Sequence, residues 1–385
     1  MNLELTETQK MIQDTARNFA KAELEPVAAK LDQQGDRETF LKNLRKLGEL
    51  GLMAINVKEQ YGGSEAGVIA FSLAVTEIGK ACASTGVTMS VNNMVCEVIQ
   101  AIGTEEQKKA YIPKIASGEY YAGGFGLTET MAGSDPSGMK TTAVLDGDSW
   151  VLNGSKIFIT SAEYAGVFVV WAVTDPKAPK GKGISTFLIE NGTKGFSIGR
   201  AEHKMGQHAS ATNELLFEDC RVPKTALMGK VNDGFRTAVG ELAGGRIGIG
   251  SLGLGIGQAA IEYATKYAMN RFQFDQPITN FQAIQWMIAE SYTELEAARL
   301  LLMNAAFKKE QGKFFAREAS MAKYYATEAA ERACHRAIQM LGGYGYTNEF
   351  PVERYARDVR ITSIYEGTNQ IQRLIIARDI LSSLK

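Results

Sequence analysis

The periodicity of apolar residues changes twice along this chain, from helical to strand-like and back, and few folds accommodate that order. Residues 1 to about 120 repeat apolar side chains at helical spacing. Ile12, Ala16, Phe19 and Ala20 mark one face behind Thr6–Gln9, a capping box in which the Thr hydroxyl accepts the Gln N–H and the Gln side chain reaches back. Pro26 is expected to break or end that helix. Phe40, Leu44 and Leu47 resume the spacing up to Gly51, and Thr104–Gln107 opens a further capped helix with Pro113 near its end. From about 121 to 228 the pattern becomes short strands. Val144-Leu145, Trp150–Leu152 and Ile157–Ile159 are separated by Asp146-Gly147 and Asn153-Gly154, pairs that supply the positive φ of tight turns. Val167–Val173, Ile184–Ile189 and Glu214–Phe217 extend the series, with Asn191-Gly192 as another turn. From 229 to 385 helical spacing returns. Residues 283–311 and 315–340 are rich in Ala, Leu, Met, Glu and Lys and free of Pro, and a last helix begins near Asn369 with Ile371, Leu374, Ile375, Ile380 and Leu381 on its apolar side. The expected fold class is mostly α with a central β domain: an N-terminal helical domain (1–120), a middle β domain with a barrel or sandwich look (121–228), and a C-terminal bundle of long helices (229–385).

Composition narrows the chemistry by elimination. The 385 residues carry 42 Lys and Arg against 43 Asp and Glu, a net charge of −1 with no basic run, which argues against a nucleic-acid partner. Cys82, Cys96, Cys220 and Cys334 are scattered, with no C-x-x-C pair, so neither a zinc module nor a disulfide framework is expected. With three His, a His-built metal centre or a Ser-His-Asp triad is disfavoured, and the expected metal content is none. No stretch approaches the roughly 18 apolar residues of a membrane span, and residues 1–25 are charged throughout. A cytoplasmic enzyme is the expectation, or a mitochondrial matrix one if a transit peptide has been removed.

Glycine-rich stretches invite a nucleotide fingerprint. Gly244-Gly245-Arg246-Ile247-Gly248, continuing to Gly257, lacks the preceding strand and strand-to-helix turn of a dinucleotide-binding loop, and its spacing of three to four reads as close helix packing. Arg246 stands apart: a lone cation in a small apolar stretch requires an anion, either a structural ion-pair partner or a ligand. Gly342-Gly343-Tyr344-Gly345 reads as a helix C-terminus and turn whose backbone N–H groups are available to a phosphate. The segment Phe125–Asp135 is a Gly/Ser/Thr loop leaving a strand, offering N–H and hydroxyl donors. Glu366, in Tyr365-Glu366-Gly367-Thr368, lies just before a helix start; it either favours that N-terminus electrostatically or serves as a general base.

Taken in register, these segments resemble the acyl-CoA dehydrogenase family, FAD enzymes that oxidise acyl thioesters to 2-enoyl thioesters. The resemblance runs from Leu5 to the C-terminus through seven motifs: 126–135, 153–160, 204–208, 244–248, 271–274 with Phe281-Gln282, 339–345 and 364–370. It is nearest to the short-chain, butyryl-type branch. It implies a four-helix C-terminal bundle, a homotetramer (a dimer of dimers) with FAD near a subunit interface, and electron transfer to an electron-transferring flavoprotein. It also implies roles residue by residue. Glu366 resembles the catalytic base. Phe125, Leu127, Thr128 and Ser134, with Phe158 and Thr160, resemble the wall and hydrogen-bond partners of the flavin ring. Arg271, Gln273, Gln282, Gln339, Gly342 and Gly343 resemble residues given by a neighbouring subunit to the pyrophosphate and adenosine end, and Thr368 and Gln370 further FAD contacts. Ser134, Arg246, Tyr365 and Gly367 resemble acyl-CoA contacts. In such chemistry the carboxylate removes the α-proton, N–H and hydroxyl donors stabilise the enolate-like oxygen, and the β-hydrogen leaves as hydride to the flavin.

Thr130, Ala243 and Asp275 depart from the family pattern, where Pro, Asp and Gly are usual. Relatives that take a dicarboxylic acyl group carry an Arg in the stretch equivalent to 84–95, which here holds no cation; straight short, branched and cyclic acyl groups remain open. Asn92, Asn93 and Glu97 are candidates for the pocket end, with at least one expected on an exposed helix face. Related readings are an enoyl-CoA reductase, an oxygen-reacting oxidase, and a flavin-bearing DNA-binding relative.

Overall fold

The computed structural model describes residues 4–384. Six helices come first: α1 (Glu7–Phe19), α2 (Ala28–Gln34), α3 (Arg37–Glu49), α4 (Gly67–Ala81), α5 (Ala83–Ile102) and α6 (Glu105–Ala116). Both capping boxes form, at Thr6/Gln9 and Thr104/Gln107. Pro26 falls in the turn between α1 and α2, after a wide π turn, and Pro113 lies in the last turn of α6, near its end as expected.

The strands β1 (Ala122–Gly126), β2 (Thr142–Asp146), β3 (Ser149–Thr160), β4 (Ala165–Val173), β5 (Ile184–Glu190), β6 (Phe196–Ala201), β7 (Thr212–Pro223) and β8 (Leu227–Met228) form one connected sheet. Its order is β6-β7-β3-β2-β4-β5-β8, with β1 added in parallel to β4. Asp146-Gly147 is the hairpin turn that the sequence predicts, but Asn153-Gly154 is not. There β3 continues through a bulge, with Gly154 at φ 139° and the register shifting between Leu152 and Gly154, because an extended neighbour on both sides rewards pairing over reversal.

The chain then enters α7 (Gly234–Asn270), passes the small hairpin β9 (Phe272–Gln273) and β10 (Gln276–Pro277), and finishes with α8 (Gln282–Glu310), α9 (Ala316–Leu341), α10 (Val352–Arg360) and α11 (Asn369–Ser383). The glycines at 244–257 lie inside α7, which packs against α4, α5, α8 and α9. They permit close approach: a Cβ on Gly255 meets the Thr76 carbonyl at 2.3 Å, and one on Gly257 meets Ala330 at 2.9 Å. No dinucleotide loop exists here. Trp171, fully buried in β4, donates Nε1 to the Gly234 carbonyl at 2.9 Å and so ties the sheet to the first turn of α7. The apolar side expected for α11 is not covered: Leu374, Ile380 and Leu381 are exposed. Among the described residues, no helix is long and apolar enough to cross a membrane, no His, Cys, Asp and Glu group is arranged to hold a metal, and all four cysteines are free and buried.

Candidate active site

Glu366 is thrown into the interior by the turn that carries it. After α10 a single tight turn (Ile361–Ser363) leads to Glu366 at φ 56° and Gly367 at φ 85°, and Thr368 then caps α11, its hydroxyl accepting the Ile371 N–H at 3.3 Å. A left-handed Glu costs on the order of 1–2 kcal/mol, so the surrounding packing must hold it. The carboxylate lies against α7 at Gly245, where a Cβ meets Oε1 at 2.0 Å. Oε1 is buried and has no hydrogen-bond partner. Burial pushes its pKa up to about 7, against the pull of Arg246 and Lys323. The Glu366 N–H likewise meets no acceptor among the described residues.

Arg246 is 5% exposed, with Nε unpartnered and Nη1 3.5 Å from the Ser320 hydroxyl. The structural ion pair that the sequence left open does not form among the described residues; burial holds the guanidinium pKa below its ordinary value, with Glu366 the charge acting against that. A buried cation with a free donor beside a buried carboxylate with a free acceptor is a pair waiting for a polar ligand. Tyr365 is held by Gln207, whose Nε2 donates to the phenolic oxygen at 3.2 Å and to the Asp358 carbonyl at 3.1 Å, so the segment Lys204–His208 reaches the same site.

On the loop after β1, Leu127 is buried, Thr128 half-buried and Ser134 exposed; the loop is tied to the end of β3, which carries Phe158 and Thr160, by the Ile157 N–H donating to the Thr128 carbonyl at 2.9 Å. The hydroxyls of Thr128, Ser134 and Thr160 make no hydrogen bond within the described chain, and Phe158 is 59% exposed on a positive-φ bulge (60°). Phe125 instead turns inward, its ring 4.5 Å from that of Trp171, so it supports this surface from behind. Beneath the loop is a latch that the sequence did not reveal as such. Lys156 is fully buried; its Nζ donates to Glu129 Oε1 at 2.8 Å and to the Leu127 carbonyl at 3.2 Å. The same carboxylate accepts the N–H groups of Lys140 at 2.5 Å and Thr141 at 3.0 Å. Burial lowers Lys156 to about 8 while Glu129 acts to raise it, which marks a strained but paired cation.

Arg271, Gln273, Gln282, Gln339, Gly342 and Gly343 are all exposed and stand apart from Glu366, at the ends of α7, α8 and α9. Arg271 lies over the Tyr344 ring at 5.7 Å, and Gly342, at φ 60°, terminates α9. Thr368 and Gln370 lie at the start of α11 near Glu366. Phe274 and Asp275, at φ 53° and 60°, form the two-residue turn between β9 and β10. That doubly left-handed geometry explains why Gly suits position 275 and gives Asp275 an exposed place. Thr130 is exposed and Ala243 buried.

The pocket-end candidates are corrected in part. Asn92 and Asn93 are fully buried and bound to backbone: Asn93 accepts the Ile55 N–H at 2.6 Å, and Asn92 accepts that of Gly123 at 2.9 Å. Neither lies on an exposed helix face, and both spend their amides joining α5 to neighbouring segments. Glu97 pairs with Lys309 at 2.5 Å and accepts from Asn56 at 2.6 Å. A Cβ on Gly244 meets Lys309 Nζ at 2.7 Å, one residue along α7 from the contact of Gly245 with Glu366. Gly245 therefore carries a prediction: Gly245→Ala keeps the fold but displaces the carboxylate, and misplacement on the scale of 1 Å costs about 10²-fold in the rate of any proton abstraction. Rapid-mixing kinetics checks this, and an unchanged rate refutes it.

A carboxylate on a left-handed residue, with a buried oxygen that no donor satisfies, thus shares the helical bundle with a buried cation whose Nε is also unpartnered. The chain belongs to the acyl-CoA dehydrogenase family: residues 6–119, 124–220 and 232–381 match the family's N-terminal, middle and C-terminal domains. It is 47% identical over 385 residues to the mitochondrial short-chain specific acyl-CoA dehydrogenase of Bos taurus, covering 100% of this chain and 92% of that one. It is 44% identical to the acryloyl-CoA reductase (NADH) of Anaerotignum propionicum, covering 99% and 96%. Among solved structures, butyryl-CoA dehydrogenase from Megasphaera elsdenii superposes with a TM-score of 0.95 at 39% identity, over 99% of this chain and 100% of that one.

Proposed function

We propose that this chain oxidises a short-chain acyl-CoA at its α,β-bond to the 2-enoyl-CoA, with Glu366 as the base. The observation that carries the reading is the Glu366 carboxylate, whose buried Oε1 has no hydrogen-bond partner and whose charged form is opposed by burial and favoured by Arg246 and Lys323. A base of raised pKa near working pH is strong enough to take an α-proton and still ionised enough to begin. The free Glu366 N–H supplies a donor to the thioester oxygen as it becomes enolate-like. Arg246 orients the acyl-CoA through its free Nε–H, and Tyr365, Gly367 and Ser134 complete the contacts.

The free hydroxyls of Thr128, Ser134 and Thr160, the apolar Leu127 and the exposed Phe158 fit the polar edge and the face of a flavin ring. Bound FAD supplies the acceptor for the β-hydride and, through it, electrons to an electron-transferring flavoprotein. Thr368 and Gln370 would give FAD further contacts, with Phe125 bracing the ring wall. Arg271, Gln273, Gln282, Gln339, Gly342 and Gly343 serve the pyrophosphate and adenosine end in a neighbouring subunit of a homotetramer. Their exposure, and the uncovered Leu374, Ile380 and Leu381, support that assembly.

Chain length follows the short-chain relatives, and the end group follows the charges beside Gly244. Lys309 is neutralised by Glu97, so no unpaired cation awaits a distal carboxylate there. Anaerobic titration with acyl-CoAs of different length, branching and ring structure is expected to bleach the flavin fastest with a short, uncharged acyl group. Faster bleaching by a dicarboxylic acyl-CoA contradicts the reading. The similarity to an acryloyl-CoA reductase favours a second direction, enoyl reduction; steady turnover of an enoyl-CoA with NADH and a flavoprotein partner, without acyl-CoA oxidation, identifies it.

A further inference from the structure

Lys323 is fully buried in α9 and no step above uses it. Its Nζ donates to the Gly367 carbonyl at 2.9 Å and to Asn369 Oδ1 at 3.0 Å, and Asn369 is fixed in turn by donating to the Thr327 hydroxyl at 3.0 Å. The ammonium thus grips both ends of the bend that carries the base: the residue after Glu366 and the first residue of α11. The helix approach is built for it, since a Cβ on Gly250, one turn beyond Arg246 in α7, meets the Lys323 Cα at 3.3 Å. The charged groups around it are few. Arg246 faces it from α7 and Glu366 from the bend. On α9 itself Glu328 is taken by Arg373 of α11 at 2.7 Å, and Glu331 by Arg360 of α10 at 3.1 Å. Glu366 is left as the unpaired acid for two buried cations.

We propose that Lys323 is the positioning residue of the base: its ammonium pins the Glu366–Gly367 bend in its left-handed form and keeps the carboxylate ionised when the site is closed to water. The proposal rests on the reading of Glu366 as the base. Two tasks are separable. The tether needs only a donor to the Gly367 carbonyl; the electrostatic task needs a charge. The ammonium acts with Arg246 to draw the Glu366 pKa down against burial. Without that charge, the base ionises only at higher pH.

The test compares wild type, Lys323→Met (no donor, no charge) and Lys323→Gln (donor, no charge), each checked for flavin content and thermal unfolding. The pH profile of anaerobic flavin bleaching by butyryl-CoA is expected to shift its ascending limb upward by about one unit or more in both variants, so the rate falls about tenfold or more on the acid side. At high pH, Lys323→Gln recovers and Lys323→Met does not. A limb unmoved in either flavin-bearing variant overturns the proposal, since a purely structural lysine lowers stability without moving it. A second measurement leaves position 323 intact: in Glu366→Gln the Lys323 ammonium, followed by nitrogen NMR, is expected to titrate at lower pH than in wild type, and an unchanged titration overturns the coupling. If Glu366→Gln itself bleaches at the wild-type rate, the base reading fails, which is a different result from either of these.

Discussion

Glu366→Gln is expected to leave a yellow, folded, flavin-bearing protein whose bleaching by acyl-CoA falls by about 10²–10⁴-fold. That range is what a positioned general base contributes. The substitution keeps shape and removes only the proton-accepting charge, so cofactor binding has no reason to suffer. The alternative role, electrostatic help to α11, predicts something different: a loss of stability with the rate intact. The structure disfavours it, because Thr368 already caps the helix with its hydroxyl and the Glu366 carboxylate points away, onto Gly245 of α7. Absorbance at the flavin band after anaerobic mixing, alongside thermal unfolding, separates the two.

Lys156→Met is expected to cost about 3–5 kcal/mol of stability and, with it, flavin retention. The reason is the fate of Glu129. Removing one member of a buried pair leaves the other charge uncompensated, a larger penalty than the pair's net worth. Lys156 is fully buried and Glu129 nearly so, and the backbone N–H groups of Lys140 and Thr141 hold the carboxylate where it cannot retreat to water. The double variant Lys156→Met/Glu129→Leu is expected to recover part of the loss, because both desolvated charges are then gone. The loop from Leu127 to Ala132 would still lack its tie to β3, so flavin affinity recovers less than stability. Denaturant unfolding and flavin titration read the two effects separately, and a single variant as stable as wild type refutes the latch.

The alternation of helix and strand was legible because each segment's apolar period is long enough to stand alone, as in the capped α1 and α6 and the Pro-free α8 and α9. Asn153-Gly154 misled for a physical reason. The pair that makes a two-residue turn also makes a bulge, and only pairing with β2 on one side and β7 on the other decides between them. Lys156 keeps the inward parity of Trp150 and Leu152, and its carboxylate partner Glu129 lies 27 residues away, so nothing local announces the buried pair. Asn92 and Asn93 were misplaced because a polar pair on a helix gives no local sign that backbone groups from residues 52, 55 and 123 will arrive to bind it. At the site, Glu366 and Arg246 were legible from their local setting, whereas the roles of Gly245, Gln207 and Lys323 arise only from contacts with residues 44 to 158 positions away in the chain. The exposed apolar residues of α11 read as a buried face because periodicity does not say whether the covering surface belongs to the same chain.

The most direct measurement is anaerobic mixing of the purified protein with butyryl-CoA, followed by the flavin spectrum and the mass of the thioester. The account predicts a bleached flavin and a thioester two mass units lighter, its rate rising with pH through about 7 as the Glu366 carboxylate ionises. A flavin that stays yellow over an unchanged thioester at every pH contradicts it.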